Sequence, residues 1–154
     1  MSDISEGLRK YLAGIPQYVI EIGVFSEHTK RKEKIQIGLT NAELMFIHEY
    51  GSPLHNLPAR PVLNMTVEWA KTQLNNVMGE AVSAFFKSGE DAYKKVLDKF
   101  ALKMEKYARQ IIYSNNGRLA PNAPSTIKKK GDNHPLFDTG QLARSITCQA
   151  VKVR

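Results

Sequence analysis

The sequence predicts an α+β fold in which a small antiparallel sheet, made of an N-terminal hairpin and a C-terminal strand, packs on two long antiparallel helices. Two stretches carry the period of a strand. Over Gln17 to Ser26, Tyr18, Ile20, Ile22 and Val24 alternate with Val19, Glu21, Gly23 and Phe25, and Ser145 to Val153 alternates likewise with many β-branched residues. The middle of the chain instead repeats apolar residues at steps of three and four, the period of a helix buried along one side. Only Ser88-Gly89 separates two such helical stretches, so they must fold back on each other.

In chain order, Ser5 to Leu12 suits a short helix, broken by Gly14 and Pro16. The first strand follows. His28 to Lys34 contains Lys30, Arg31, Lys32 and Lys34 and almost nothing apolar, which reads as a solvated hairpin tip leading into a return strand over Lys34 to Leu39. Thr40-Asn41-Ala42-Glu43 is a capping box, with Leu39 and Leu44 at hydrophobic-staple spacing, so a helix starts at Asn41. It stops at Gly51-Ser52-Pro53, where Gly51 supplies a left-handed terminator. Leu54 to Pro61, with Pro58 and Pro61, is extended, and Pro61 suits the first turn of the next helix.

That helix carries Leu63, Val67, Ala70, Leu74, Val77, Ala81 and Phe85 as one apolar stripe. Trp69, Met78 and Phe86 widen it and fit core or subunit contact equally well. The second long helix, Glu90 to Tyr113, sets Tyr93, Val96, Leu97, Phe100, Met104, Tyr107, Ala108 and Ile111 on one face. Ser114 to His134 holds Asn115-Asn116-Gly117, two prolines and Lys128-Lys129-Lys130, which predicts a long basic loop with one helical turn after Pro124. Next, Asp138 is placed to cap a turn formed by Thr139-Gly140-Gln141, with Gln141 at the capping-box position and Phe137 and Leu142 at staple spacing. The last strand is expected to join the sheet of the first two.

A chain of 154 residues, 42% hydrophobic and 24% charged, has the size and composition of one domain, spanning residues 1–154. No apolar run is long enough to cross a membrane, and the N-terminus lacks the basic-then-apolar pattern of a secretory signal, so the chain is expected to stay in the cytoplasm where it is made. Cys148 is the sole cysteine, which excludes an internal disulfide, a four-thiolate zinc site and a C-x-x-C redox pair. The formal net charge of +7 favours a polyanionic neighbour, DNA or an acidic protein surface, although solubility alone also explains it.

Nothing in the motifs demands catalysis. His48-Glu49 opens like the H-E-x-x-H zinc signature, but Ser52 stands where the second histidine belongs and His55 lies beyond Pro53. Surface and capping roles therefore suit His28, His48, His55 and His134. No phosphate-cradling glycine loop is present, and the spacing gives no reason for Glu49, Asp132 and Asp138 to converge as a two-metal nuclease cluster. Lys128, Lys129 and Lys130, with Arg118 and Arg144 nearby, could contact phosphates without reading sequence. No aromatic residues interleave with them to stack bases. The expectation is a non-enzyme with no catalytic, cofactor-binding or metal-binding residues.

Three stretches read together resemble the neck or tail-completion proteins of long-tailed bacteriophages, the virion-morphogenesis or tail-component family. They are Phe46-Ile47-His48-Glu49-Tyr50-Gly51 followed by Leu57-Pro58-Ala59-Arg60-Pro61, then Pro121 to Gly131 (PNAPSTIKKKG), then Pro135 to Thr147 (PLFDTGQLARSIT). The resemblance spans about Ala42 to Val151. It implies a small α+β subunit without enzymatic activity, located in the virion after assembly in the host cytoplasm. Such a subunit forms a ring of about six or twelve copies between portal and tail tube. Its partners would be other copies of itself, the neighbouring head-closure, tail-terminator and tail-tube proteins, and non-specifically the packaged DNA. A membrane would not be among them.

Within this frame Glu49, Gly51, Arg60, Pro61, Asp138, Gly140 and Leu142 are the structural motif residues. Arg60 has a planar fork suited to a carboxylate such as Glu49 or one on a neighbouring subunit. Lys30, Arg31 and Lys32 in one basic loop, and Arg118, Lys128, Lys129 and Lys130 in the other, are the candidates to face the lumen or a neighbouring ring. The alternative is a DNA-binding accessory protein whose basic loops hold phosphates.

Overall fold

The computed structural model describes residues 6, 9, 10, 12–26, 38–114 and 116–153. Ser5, Gly7, Leu8 and Tyr11 of the expected first helix, the basic tip with Lys30, Arg31 and Lys32, and Lys34 to Ile37 of the return strand lie outside the described residues.

The architecture is α+β: two long helices packed on a two-stranded antiparallel sheet. Strand β1 (Tyr18–Gly23) pairs with β2 (Thr147–Lys152), in a register that runs from Tyr18 opposite Lys152 to Gly23 opposite Thr147. The last strand thus joins the sheet as expected, and the strand that it pairs with is the first. The pairing sets Ile20 opposite Ala150 and Ile22 opposite Cys148 toward the helices, while Glu21 and Gln149 face solvent and bond to each other at 3.1 Å.

Helix α1 (Asn41–Tyr50) begins with the expected capping box. The Glu43 N–H donates to the Thr40 hydroxyl, and the Thr40 N–H to the Glu43 carboxylate. A 3-10 turn over Pro53–His55 follows, then α2 (Val62–Ser88) and α3 (Glu90–Tyr113), reversed at Gly89. The acidic residues Glu90 and Asp91 in the first turn of α3 complement its dipole. Helix α4 covers Pro124–Lys130, longer than the single turn expected there, because Pro124 fixes its first turn and Gly131, at φ 73°, ends it. Helix α5 (Gln141–Ser145) leads directly into β2.

The core follows the length of α3. Tyr93, Leu97, Phe100, Met104, Ala108 and Ile111, all on the predicted face, are buried. Ile112 and Ile146, both fully buried, close the end nearest α5, each worth about 1.5–3 kcal/mol in apolar surface removed from water. Of the stripe predicted on α2, Ala70 and Ala81 are buried and Leu63, Val77 and Phe85 pack against the core, while Leu74 stays 45% exposed; Val62 and Thr66, outside the stripe, are fully buried. Small and aromatic side chains together make the α2 to α3 contact, Ala70 and Ala81 alongside Trp69 and Phe85, and the Thr66 hydroxyl donates to the Val62 carbonyl at 2.8 Å. The bulkier Val67 and Leu74 line a groove of about 240 Å³ beside Tyr18 and Ile20 of β1. Trp69 is core, stacked between Phe100 and Tyr107, whereas Phe86 is 42% exposed.

Candidate functional site

Gly51 ends α1 at φ 73° and ψ −177°, backbone angles that only glycine adopts at low cost. A Cβ there would lie 2.7 Å from both Ala59 N and Leu57 O. This close approach lets the chain reverse. Ser52 and Leu57 exchange backbone bonds of 2.8 and 3.0 Å, and the Arg60 N–H returns to the His48 carbonyl at 2.6 Å. The prolines and the ladder together hold the segment from Gly51 to Pro61 as a rigid ledge, with Leu54 at its tip 93% exposed.

Glu49 and Arg60 do not pair, contrary to the intramolecular option that the sequence offered. Pro61 occupies the N-cap of α2 and has no side-chain oxygen to give. The Glu49 carboxylate takes that role, accepting from Leu63 N at 2.9 Å and Asn64 N at 2.7 Å, where the helix dipole also favours a negative charge. Arg60 turns the other way. Its Nε donates to the Ala120 carbonyl and its Nη2 to the Pro121 carbonyl, each at 2.8 Å, and Nη1 lies 3.4 Å from His48 Nδ1. The side chain is 4% exposed, and burial lowers its pKa from the usual guanidinium range.

The clamp therefore joins the first motif to the second. Pro121 leads to Asn122, whose N–H donates to Asn133 Oδ1 at 2.9 Å, and on to α4. Lys130, at the end of α4, donates to the Phe137 carbonyl at 2.7 Å and so ties the second motif to the third.

In the third motif Asp138 is not a cap. Gly140, at φ 73° and ψ 7°, is itself the N-cap of α5, and no side chain caps that helix. The left-handed glycine delays the helix to Gln141, which leaves Asp138 two residues too early to reach first-turn N–H groups and Gln141 outside the capping-box position. Asp138 is exposed instead. Gly140 is pressed by Arg144 Nη1, 2.9 Å from where its Cβ would stand, and Arg144 holds the Thr139 carbonyl at 3.0 Å. Phe137 and Leu142 do share one cluster, with Phe137 stacked on His134 and edge-on to Tyr113.

These three motifs wall a single recess of about 260 Å³. His48 and Arg60 come from the first, Asn122, Thr126 and Lys130 from the second, and Asp138, Gly140 and Leu142 from the third. Asn122 was quoted within its motif but not singled out by sequence reasoning. Its Nδ2 is buried without a hydrogen-bond partner among the described residues. Its only local signal is its place in Pro121-Asn122-Ala123-Pro124, where flanking prolines fix the backbone.

The basic residues have different partners among the described residues. Arg118 lies over the Tyr107 ring at 5.9 Å and donates to its hydroxyl at 3.3 Å. Lys128 and Lys129 are exposed in the last turn of α4, where positive charge complements the helix dipole. The carboxylates weighed as a nuclease cluster are likewise apart: Glu49 caps α2, Asp132 lies 3.9 Å from His134, and Asp138 stands at the recess. Among the described residues no three His, Cys, Asp or Glu side chains are grouped as metal ligands.

Exposed apolar side chains lie on the face of α1 that lines a separate groove with Ile22, Val24, Leu63 and Val67. Phe46 and Tyr50, one turn apart on α1 with ring centroids 4.9 Å apart, are 65% and 70% exposed, and Leu54 follows on the ledge. Comparison of the chain with known protein families, with curated proteins and with solved structures finds no match.

Proposed function

We propose that this chain is a structural subunit of a tailed-bacteriophage virion, forming an oligomeric ring in the neck that completes the tail and joins it to the head around the DNA channel. One observation carries the reading. The first of the three sequence stretches that resemble the neck and tail-completion family lies 59 residues (62–120) before the second, and the third follows after residues 132–134, yet all three wall one recess and are cross-tied by Arg60 and Lys130. Elsewhere on the surface Leu54 on the rigid ledge, and Phe46 with Tyr50 on α1, are exposed apolar side chains suited to subunit contact. The function is assembly rather than catalysis, and the positive charge suits a wall around DNA.

The deciding experiment is the position of this chain in an image reconstruction of the intact particle. Density in the neck or upper tail is expected, and density elsewhere would overturn the reading. A second reading, a DNA-binding accessory protein, draws on the exposure of Lys128 and Lys129. It predicts salt-dependent DNA affinity of the isolated monomer, whereas a ring subunit is expected to form rings. Replacing Lys128, Lys129 and Lys130 with Glu tests the basic segment directly. A fall in the yield of joined particles is expected, and a full yield would remove this segment from the lumen or ring contact.

A further inference from the structure

The charge inside the recess is unbalanced. Arg60 is 4% exposed, and no carboxylate within the described residues forms a salt bridge with it. Glu49, the one nearby in sequence, is committed to the N–H groups of α2. A guanidinium has five N–H groups, and the contacts to Ala120, Pro121 and His48 take up three of them. Carbonyl oxygens satisfy the geometry of those donors but leave the net charge uncompensated, and a buried charge without a counter-ion is costly. Asn122 adds a second unmet donor, since its buried Nδ2 has no hydrogen-bond partner among the described residues. Both line a recess whose carboxylate, Asp138, is exposed and bonds to neither, so these two donors lack an acceptor carrying negative charge among the described residues.

We propose that this recess receives a carboxylate, the Asp or Glu side chain of an adjoining subunit, with Arg60 and Asn122 as its donors and Lys130 at its mouth. The identity of the donor subunit rests on the ring assembly proposed above. Two features favour a side chain over a DNA phosphate. Arg60 is recessed, beyond the reach of a stiff duplex, whereas a single side chain fits a cavity of about 260 Å³. Asp138, exposed on the lining, repels a polyanion more than it repels one carboxylate.

The test has two arms, both on the full chain. In the first, sodium acetate and inorganic phosphate are titrated separately into 15N-labelled protein while the Arg60 Nε–H and Asn122 Nδ2 resonances are followed. Saturable shifts of both with acetate are expected. Asp138→Asn, which removes an exposed carboxylate, is expected to tighten acetate binding by about two- to fivefold. No saturation with acetate, or saturation with phosphate alone, overturns the proposal.

In the second arm, rings assembled from equal amounts of 15N-labelled and unlabelled chains are treated with a carbodiimide, which joins amines to carboxylates in contact. A mixed-label link from Lys130 to an Asp or Glu is expected. Rings without such a link would overturn the inference and leave the ring reading intact. Failure to form rings would overturn the ring reading, with the acetate arm still judging the recess.

Discussion

The Glu49 carboxylate and the backbone N–H of Asn64 lie 2.7 Å apart, and through this contact the end of α1 serves as the cap of α2. The second oxygen takes Leu63 N, so one buried side chain satisfies two of the N–H groups that the start of a helix leaves open. Pro61, in the cap position, has no side-chain acceptor to replace it. Glu49→Ala is expected to cost about 2–3 kcal/mol, the sum of a lost cap and the desolvated N–H groups it leaves behind. Glu49→Gln keeps one acceptor and should cost about half as much. Urea denaturation followed by circular dichroism measures both, and an unchanged midpoint in Glu49→Ala would remove this residue as the cap.

Arg60 calls for a different pair of substitutions. Arg60→Met leaves the Ala120 and Pro121 carbonyls without their donors, with an expected loss of about 2–4 kcal/mol. Arg60→Lys keeps the charge but offers a point donor that cannot span both oxygens, so it should fall between Met and the native residue. Limited proteolysis gives a local readout. Cleavage near Gly117 to Ala123 should accelerate in Arg60→Met well before global unfolding, because the clamp holds that segment.

Two glycines with similar φ values separate strain from crowding. Gly51→Ala places a methyl 2.7 Å from two backbone atoms, which cannot move aside without breaking the Ser52 to Leu57 ladder. Gly140→Ala meets the flexible end of Arg144 at 2.9 Å and a left-handed φ that alanine tolerates for about 1–2 kcal/mol. Gly51→Ala is therefore expected to lose at least about 3 kcal/mol and Gly140→Ala less, read from thermal unfolding of the two variants side by side. Equal losses would mean that the ledge yields.

Those contrasts also mark what was legible in the sequence. The capping box at Thr40, the break at Gly51 and the reversal at Gly89 depend on residues within one turn of each other, so their residue types reveal them. The α+β class followed from the strand and helix periods, whereas the direct pairing of the first strand with the last did not, because alternation marks a strand without naming its partner. Arg60 reaching Ala120 is different, since it spans sixty residues and its acceptors are main-chain carbonyls that every residue carries. Asp138 shows how a local pattern is overridden. The acid, the glutamine and the apolar pair all stood at capping positions, but Gly140 adopted the left-handed region and moved the start of the helix past them. On α2 the apolar stripe correctly held Ala70 and Ala81, but periodicity alone could not say that Thr66 is buried and Leu74 is left 45% exposed.

Two groups near the sheet predict how the fold answers alkali. Burial, and then the Glu105 carboxylate, push the Cys148 thiol from its ordinary value of 9.0 up to about 11. Burial and the hydrogen bond to Glu90 push the Tyr18 phenol from 10.0 up to about 12. Both groups hold their protons more tightly when folded. Each therefore contributes stability in full below its unfolded pKa and loses it as the pH rises through its folded one. The free energy of unfolding is expected to fall steadily between about pH 9 and 12, first through Cys148 and then through Tyr18. Cys148→Val should flatten the earlier part of that decline and Tyr18→Phe the later part. At pH 8 only about a thousandth of the native thiol is ionised, so labelling by a maleimide should await unfolding. Rapid labelling of native protein at that pH would contradict the burial on which the alkaline prediction rests.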